Sequence, residues 1–373
     1  MNRLHLFLFG LIVMWVQFGC INKDGLKQKE SQATEEEFDK IEILHAKGFR
    51  VSYFEGGKFL EVLHPKSGEV LDQIVLISSE KAVLPDSLKS KKSVKISLQK
   101  VASQSTTHVS YFDRIHVLDK LYAVGFADFV RNENAKKLID ENKIKNLTTG
   151  SQMNKELLID IQPDLFFMYP FDQQSIEQIK EHVKTILTTE YLEENPLAKA
   201  EWIKFFALFF NEEGYATEVF NQIVNEYDAI KLQDTNHEYF MNLPFNGIWD
   251  CPPANSYSVS LMRDAGLGYE FQEAKQDENL AKTVEEMLDR CLDTEYWIII
   301  AQRNTGFSME ELKSENYLYS EFAAVQKNNV IVCNTAISDY FGDALLEPQI
   351  VLKNLIEVVQ NEKDSTEYFY RLK

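Results

Sequence analysis

The stretch NPLAKAEWIKFFALFFNEEGYATEVFNQIVNEYDAIKLQ, residues 195–233, lies mid-chain between two regions of alternating strand and helix patterns, and its length decides the fold. Asn195 and Pro196 indicate a helix start, because asparagine is a favoured cap and proline is tolerated in the first turn. From Trp202 onwards the apolar residues keep one helical phase, which by itself would allow a single helix. Helical structure is therefore expected to dominate the middle of the chain.

An interruption divides this stretch into two predicted helices. Gly214 would cost a helix interior about 1 kcal/mol relative to alanine. Asn211 and the two glutamates after it are typical of a new helix start, with a capping side chain and acidic residues in the first turn. We therefore predict helices over about 196–210 and about 212–232. At about 1.5 Å per residue the second helix spans about 30 Å, which suffices to join two lobes rigidly.

Strand and helix patterns alternate on both sides of these helices. Predicted strands include DLFFMYP (164–170), EYWIIIAQ (295–302) and VIVCNT (330–335). Helical patterns of about ten residues separate the strands, which favours parallel sheets with crossover helices. The predicted fold class is α/β: two lobes, each with a mainly parallel sheet flanked by helices, are joined by a single long backbone helix. Ahead of them, short apolar runs broken by Gly56 and Gly57 predict a small β-rich N-terminal extension.

The N-terminus is predicted to be an export signal that ends at a lipidated cysteine. Arg3 precedes an apolar run from Leu4 to Val16 that is too short for an ordinary membrane span. A Gly-Cys pair ending at Cys20 resembles the end of a bacterial lipoprotein signal, in which the cysteine becomes the lipidated first residue. The following residues, 21–37, are too polar to bury a core, so we interpret them as a tether. We expect an exported lipoprotein on the periplasmic face of a bacterial membrane or cell envelope.

The chain is long enough for more than one packed core, with 373 residues and 45% hydrophobic content. The predicted parts are a signal peptide over 1–19, a lipidated tether over 20–37, the β-rich extension over 38–93, lobe 1 over 94–191, connecting helices over 192–234 and lobe 2 over 235–373.

Charge and cysteine content bear on the expected partners. A formal net charge of -19 works against binding to nucleic acid or anionic lipid, because both are themselves negatively charged. Besides Cys20, the chain contains Cys251, Cys291 and Cys333, an odd number without a C-x-x-C spacing. No disulfide framework or zinc ribbon is implied, and we interpret these three as small buried apolar residues.

Two segments carry a resemblance to a known family. EYLEENPLAKAEWIKFFALFF (190–210) is similar to the passage from lobe to helix in iron-complex receptors, and KELLIDIQPDLFFMY (155–169) is similar to their helix-Pro-Asp-strand motif. With the lobes and the long helix, the chain from Val94 onwards resembles the substrate-binding proteins of bacterial ABC importers. More narrowly, it resembles the group with a helical backbone that captures ferric siderophores, haem and cobalamin. The extension lies outside the resemblance.

The resemblance implies a mechanism and a set of partners. A small metal complex would be captured between the lobes with little closure, because the backbone helix is stiff, and delivered to an ABC permease and its ATPase. The protein would be a monomer, attached to the membrane through its lipid only, with no nucleic acid partner. It would have no intrinsic cofactor and no metal site of its own, although the ligand would carry iron or cobalt.

Family membership also implies a role for Glu156 and Glu285 in docking to arginines of the permease. Each glutamate opens a short amphipathic helix and precedes an aspartate and a strand, with the same spacing to Asp164 and to Asp293. Two carboxylates on separate rigid lobes would test the distance between the lobes and supply charge-assisted pairing. The alternative is that each glutamate only offsets its helix dipole.

Ligand-binding residues are expected at the carboxyl ends of the predicted strands, where the loops of such folds converge. Aromatic rings there would bind a flat or greasy ligand, although core packing is the alternative for each ring. Arg303 would receive a carboxylate or a metal-bound oxygen, and His108 would either contact an iron centre or serve as a polar residue at a helix start. The candidates are Ser105, Thr106, His108, Phe129, Ser151 and Tyr169 in lobe 1, and Trp249, Ser256, Tyr257, Arg303, Tyr340 and Phe341 in lobe 2.

Three other functions are alternatives to this one. A receptor for bare zinc or manganese would need several histidines from both lobes, and only His237 follows the connecting helices. An exported carboxylate-dependent hydrolase is the alternative from another class, although no nucleophile elbow, H-E-x-x-H or phosphate loop is present. The other alternative is a surface lipoprotein that captures ligand for an outer-membrane uptake system. We expect a binding protein rather than an enzyme.

Overall fold

A computed structural model describes residues 40–150, 152–232, 237–274, 278–360 and 363–373. The residues from Asp39 onwards form one compact unit. The predicted signal peptide, the tether with Cys20, and Ser151 lie outside the described residues. Among those that are described, no helix has the length and apolar character needed to cross a bilayer.

The N-terminal extension forms a small sheet of its own. Its strands are β1 (Phe49–Phe54), β2 (Gly57–Leu63), β3 (Val70–Ile77) and β4 (Ser93–Lys95), in the spatial order β1-β2-β3-β4. The first two pairs are antiparallel and the last is parallel. Gly56 closes the turn between β1 and β2 with a φ of 78°, and a Cβ there would lie 2.7 Å from the backbone of Ala82. This turn therefore requires glycine.

Lobe 1 contains a five-stranded parallel sheet in the order β11-β10-β5-β6-β7. Its strands alternate with helices, and a short antiparallel ribbon, β8-β9, lies beside the sheet. The elements are β5 (Val101–Ser103), α1 (Thr107–Arg114), β6 (Leu121–Val124), α2 (Glu133–Asp140), β7 (Lys145–Asn146), β8 (Thr148–Thr149), β9 (Gln152–Met153), α3 (Lys155–Ile161), β10 (Leu165–Met168), α4 (Gln173–Ile179) and β11 (Thr185–Leu187).

The two predicted connecting helices are confirmed as α5 (Pro196–Ala207) and α6 (Glu213–Ile230). The Asn195 side chain caps α5 by accepting hydrogen bonds from two amides of its first turn. Asn211 was wrongly expected to cap α6. It instead adopts a left-handed conformation with a φ of 61°, which reverses the chain between the helices, since asparagine tolerates this region better than most residues.

The extension packs on these helices, and α5 is buried on every side. All 12 residues of α5 are buried, including Glu201 and Lys204. The Glu201 carboxylate accepts hydrogen bonds from the backbone amides of Leu44, His45 and Ala46 at 2.6–3.2 Å and from Lys204 Nζ at 2.8 Å. Buried charge is stabilised here because every donor and acceptor in the group is paired. The extension and the backbone of the fold are thus one packed structure.

Lobe 2 contains a second five-stranded sheet in the order β14-β12-β16-β17-β18, parallel except for β18. The strands β13 and β15 form a separate antiparallel pair. The elements are β12 (His237–Met241), β13 (Trp249–Cys251), α7 (Tyr257–Asp264), β14 (Leu267–Tyr269), β15 (Leu280–Lys282), α8 (Val284–Cys291), β16 (Tyr296–Ala301), α9 (Met309–Glu315), α10 (Ala323–Gln326), β17 (Val330–Asn334), α11 (Asp343–Leu346), α12 (Pro348–Val359) and β18 (Tyr370–Arg371).

The predicted fold class is confirmed: two α/β lobes with mainly parallel sheets are joined by one long helix, and a β-rich extension precedes them. The apolar pattern over about 343–361 predicts a single last helix, and this prediction is wrong: the segment forms two helices, α11 and α12, because Pro348 disfavours helical geometry at the residue before it. Cys251, Cys291 and Cys333 are buried free thiols, as predicted.

Candidate functional site between the lobes

A small cavity lies between the two lobes at the carboxyl ends of their parallel strands. This interlobe cavity has a volume of about 130 Å³. Loops after β5 and β6 supply its lobe 1 wall, and loops after β16 and β17 supply its lobe 2 wall. The lining residues are Thr106, Phe129, Val130, Arg131, Asn132, Gln302, Thr335, Ser338, Asp339 and Phe341.

Two larger cavities lie at strand ends of the same kind, one in each lobe. The lobe 1 cavity has a volume of about 340 Å³ and is lined by Gln104, Gly125, Phe126, Leu147, Thr148, Met153, Phe171 and Asp172. The lobe 2 cavity has a volume of about 700 Å³ and is lined by Gln302, Arg303, Asn304, Phe307, Glu311, Ser314 and Glu315. Gln302 lines both the interlobe and the lobe 2 cavities, so these two are adjacent. We refer to the three cavities together as the cleft.

The lobes also touch directly across the cleft. Thr107 Oγ1 donates a hydrogen bond of 2.9 Å to the carbonyl oxygen of Phe341. Asn132 Nδ2 donates to the carboxylate of Asp343 at 3.3 Å and to that of Asp113 at 2.9 Å. The loop between β17 and α11 is therefore held against lobe 1 at the end where α11 begins.

Three predicted site residues are brought together at the interlobe cavity. Phe129 and Phe341, from opposite lobes, are 55% and 59% exposed. Thr106, which directly precedes α1, lines the same cavity. Two exposed rings that face one cavity from opposite lobes provide apolar area that a ligand would cover. The role of these residues in ligand contact stays a prediction.

His108 does not face the cleft, which excludes the expected contact with an iron centre in this arrangement. Its ring is fully buried, with Nδ1 2.7 Å from Ser103 Oγ and Nε2 3.0 Å from Glu190 Oε1. Burial alone would raise the pKa of Glu190, but His108 and a hydrogen bond from Tyr169 outweigh it and hold that pKa below its ordinary value. The histidine therefore organises the interior of lobe 1.

Ser105 and Tyr169 belong to the same internal network. The Tyr169 hydroxyl lies 2.7 Å from Ser105 Oγ and 2.9 Å from Glu190 Oε1. Burial, and then the nearby Glu190 carboxylate, raise the pKa of Tyr169 well above its ordinary value. The Tyr169 ring stacks on Phe171, which is 68% exposed in the lobe 1 cavity. Tyr169 thus packs against Phe171, a residue that lines the cleft.

Four lobe 2 candidates have structural positions instead. Trp249 is completely buried among core aromatics, and its Nε1 donates to the Met241 carbonyl. Ser256 caps α7. Tyr257 packs with its ring 5.1 Å from Lys199 Nζ, and Tyr340 is buried beside it, with 6.5 Å between the ring centroids. The predicted contacts of these residues with ligand are not supported by their positions.

Arg303 lines the lobe 2 cavity, as expected for a residue after β16. Its guanidinium binds the Glu315 carboxylate through two hydrogen bonds of 2.7 and 3.2 Å and lies 4.7 Å from the centre of the Phe307 ring. Its charge is therefore already compensated by a carboxylate.

Sequence reasoning missed several cleft residues that lie within three positions of the predicted ones. Phe126 and Gln302 lie closer to their strand ends than Phe129 and Arg303 do, while Phe171 follows Tyr169 by two residues. A window on both sides of each predicted residue would have included them, and it would also have included Asp339, which directly precedes Tyr340.

Asp339 contributes a carboxyl group with a shifted pKa to the interlobe cavity. Burial, and then the neighbouring Asp343 carboxylate, raise the pKa of Asp339 to about 6. Its Oδ2 accepts a hydrogen bond from the Asp343 amide at 3.2 Å. Two carboxyl groups thus lie at the seam between the lobes.

Glu156 and Glu285 lie in the first turns of α3 and α8, and both are exposed. Neither carboxylate has a hydrogen bond or ion pair with another described residue. The adjacent Glu286, in contrast, completes a capping box with Thr283 and pairs with Lys282. Helix capping in α8 is therefore accounted for without Glu285.

The chain belongs to the periplasmic binding protein family. The family model of that description matches residues 109–336, more than half of the chain. The match includes most of lobe 1, both connecting helices and much of lobe 2, and it excludes the extension. Proteins of this family and fold are binding proteins, and ligand pockets occur preferentially at interfaces between domains.

Individual relatives agree with this assignment. The chain is 24% identical to an uncharacterized lipoprotein of Methanocaldococcus jannaschii, over 94% of this chain and 91% of that protein. A periplasmic binding protein of Veillonella parvula superposes with a TM-score of 0.59 at 15% identity, covering 84% of this chain and 98% of its own. The siderophore binding protein BauB, bound to two acinetobactin molecules and ferric iron, superposes with a TM-score of 0.57 at 17% identity, covering 71% and 94% of the two chains. The structures show the fold, and the lipoprotein relative supports an exported lipoprotein.

Proposed function

We propose that this protein is the solute-binding component of an ABC importer that captures an iron complex, such as a ferric siderophore or haem, or a cobalamin. The ligand would lie in the cleft and be delivered to an inner-membrane permease with its ATPase. The observation that carries the proposal is the cleft itself, in which exposed aromatic rings from both lobes converge at the carboxyl ends of parallel strands.

The aromatic rings suit a large ligand with apolar surface. Phe126, Phe129, Phe171 and Phe341 are between 39% and 68% exposed. Covering such rings is favourable by about 25 cal/mol per Å² of apolar area, and a ring can also stack on a flat ligand. The ferric siderophore held by one structural relative supports a cargo of this class.

A metal complex of this size would not fit between the lobes as they stand. Ligand pockets for molecules of this size have volumes of roughly 300–1,000 Å³, whereas the interlobe cavity has about 130 Å³. We infer that the ligand extends into the flanking cavities, or that the Phe341 loop moves away from Thr107. Either route leaves α5 and α6 unchanged, so binding would require only limited movement about the backbone helices.

Native mass spectrometry combined with visible absorption tests the proposal. The full chain would be incubated with haem, cobalamins and a panel of ferric siderophores, and one of them should bind with a stoichiometry of one. Phe129→Ala and Phe341→Ala should weaken that binding, whereas Phe245→Ala, an exposed ring that lines none of the three cavities, should not. Binding to none of these complexes would reject the proposed ligand class.

A further inference from the structure

We propose that the cleft selects an electrically neutral or cationic metal complex over an anionic one, an inference that rests on the function proposed above. The charged residues of the three cavities carry the argument, because carboxylates outnumber cations there. They are Arg131, Arg303, Asp172, Glu311, Glu315 and Asp339.

Arg303 is not available to an anionic ligand. Its guanidinium is engaged by both oxygens of Glu315 and stacks on the Phe307 ring. An incoming anion would have to displace this carboxylate and leave it without its partner. A bidentate arginine–carboxylate pair is among the stronger polar contacts in proteins, so the exchange is unfavourable.

Arg131 is also opposed by a carboxyl group. It lines the interlobe cavity together with Asp339 and is close enough to act against the rise in the pKa of that group. Asp343 adds a second carboxylate at the same seam, hydrogen bonded to Asn132. A ligand between the lobes therefore meets at least as much negative as positive charge.

The lobe 1 cavity contains a carboxylate and no cation among its lining residues. Asp172 lines it and accepts hydrogen bonds from Gln104 Nε2 at 3.0 Å and from the Ser175 amide at 3.2 Å. Those bonds hold the carboxylate in place at the wall of the cavity. The faces of Phe126 and Phe171 beside it attract cations through the ring quadrupole, which adds to the same preference.

These charges predict a ranking of ligands that share one metal and differ in net charge. A carboxylate-rich, partly desolvated cleft opposes an anion more strongly than water does. A cationic linear trihydroxamate complex of iron should bind at least about tenfold more tightly than a trianionic triscatecholate complex, with a neutral cyclic trihydroxamate complex close to the cationic one.

The experiment titrates the full chain with these three ferric complexes by isothermal titration calorimetry at low and high ionic strength. The preference for the cationic complex should shrink as salt is added, because screening weakens charge interactions. Asp172→Asn and Asp339→Asn should each reduce the preference several-fold. Glu218→Gln, on the exposed face of α6 and away from the cavities, is the matched control and should leave the preference unchanged.

The outcomes separate this inference from the proposed function. Tightest binding to the triscatecholate would overturn the inference and leave the capture of iron complexes standing. A preference that stays unchanged in both aspartate variants and at high ionic strength would also overturn it, because the shape of the ligand rather than its charge would then determine the affinity. Binding to none of the iron complexes, haem or cobalamin would defeat the proposed function, and the inference with it.

Discussion

The hydroxyl of Thr107, at the start of α1, donates a hydrogen bond of 2.9 Å to the carbonyl oxygen of Phe341 in lobe 2. This contact joins the lobes at the rim of the interlobe cavity, beside a phenylalanine ring that remains exposed. A bond of this kind contributes about 1 kcal/mol net, which is small enough for a ligand to replace.

Replacing this hydroxyl should loosen the loop between β17 and α11. In Thr107→Val the loss of about 1 kcal/mol corresponds to roughly fivefold faster amide exchange for residues 338–343. Hydrogen exchange followed by mass spectrometry measures the rate. Thr107→Ser keeps a hydroxyl and is the control. Equal exchange in the valine and serine variants would show that the bond does not hold the loop.

Glu156→Ala and Glu285→Ala should separate delivery from capture. Each should lower uptake by at least about tenfold while ligand affinity stays unchanged, because both carboxylates are exposed and neither lines any of the three cavities. Transport assays in cells that carry the importer measure uptake, and calorimetry measures affinity.

The matched controls are Glu133→Ala in lobe 1 and Glu310→Ala in lobe 2, since both also lie exposed in a first helical turn. They should have no effect on uptake. A loss of affinity in the Glu156 or Glu285 variants would place them in the ligand site. Unchanged uptake in these variants would favour a surface lipoprotein that serves an outer-membrane system.

Glu201→Gln should destabilise the whole unit. The substitution removes the negative charge of a carboxylate that accepts hydrogen bonds from three backbone amides and from Lys204. The glutamine side chain also places its own NH₂ donor against these N–H donors. Breaking a buried pair of this type costs about 3–5 kcal/mol. Denaturant unfolding measures the change. Glu218→Gln, on the exposed face of α6, should stay within about 0.5 kcal/mol of the wild type.

Asp339 should make stability depend on pH in a defined direction. Because its folded pKa is raised from 3.8 to about 6, the folded state holds a proton that the unfolded state releases, and stability falls as the pH rises through this range. Asp339→Asn should remove this pH dependence. Above pH 6 the variant should be more stable than the wild type by about 1–2 kcal/mol, a figure that is reduced because the Asp339 side chain is partly exposed.

The measurement compares denaturant unfolding of the wild type and Asp339→Asn at a series of pH values. Their difference should vanish below the lower of the two pKa values, where the aspartate is protonated in both states. A difference that stays constant across the series would mean that the pKa of Asp339 is the same in the folded and unfolded states, which would contradict the prediction. Asp86→Asn removes the charge of a highly exposed side chain in the extension and is the control for general charge effects.

The architecture followed from local patterns in the sequence, and its corrections are local as well. One helical phase with a glycine in it predicted two helices, and the cap at Asn195 was found as expected. The role of Asn211 was missed because asparagine is favoured both as a cap and in left-handed turns, and sequence alone does not distinguish the two. Pro348 was a stop signal that the apolar pattern around it concealed.

The site was harder to predict because its partners are remote in sequence. Glu190 binds His108 from 82 residues away, so the histidine could not be assigned to the interior from its neighbours. Trp249 follows an apparent strand end, but that segment pairs with β15 and turns the ring into the core. Thr106, Phe129 and Phe341 reached the cavity because the ends of parallel strands do converge there.

The bonds between Glu201 and the amides of Leu44, His45 and Ala46 also constrain the order of folding. These partners are 155 to 157 residues apart, so the three amides have no carboxylate partner until about 155 further residues have been synthesised. Contacts of such sequence separation slow folding, because a long loop must close before they form. The extension is therefore expected to remain protease-sensitive on a nascent chain until α5 emerges, and to act as a late reporter that the backbone helices are in place.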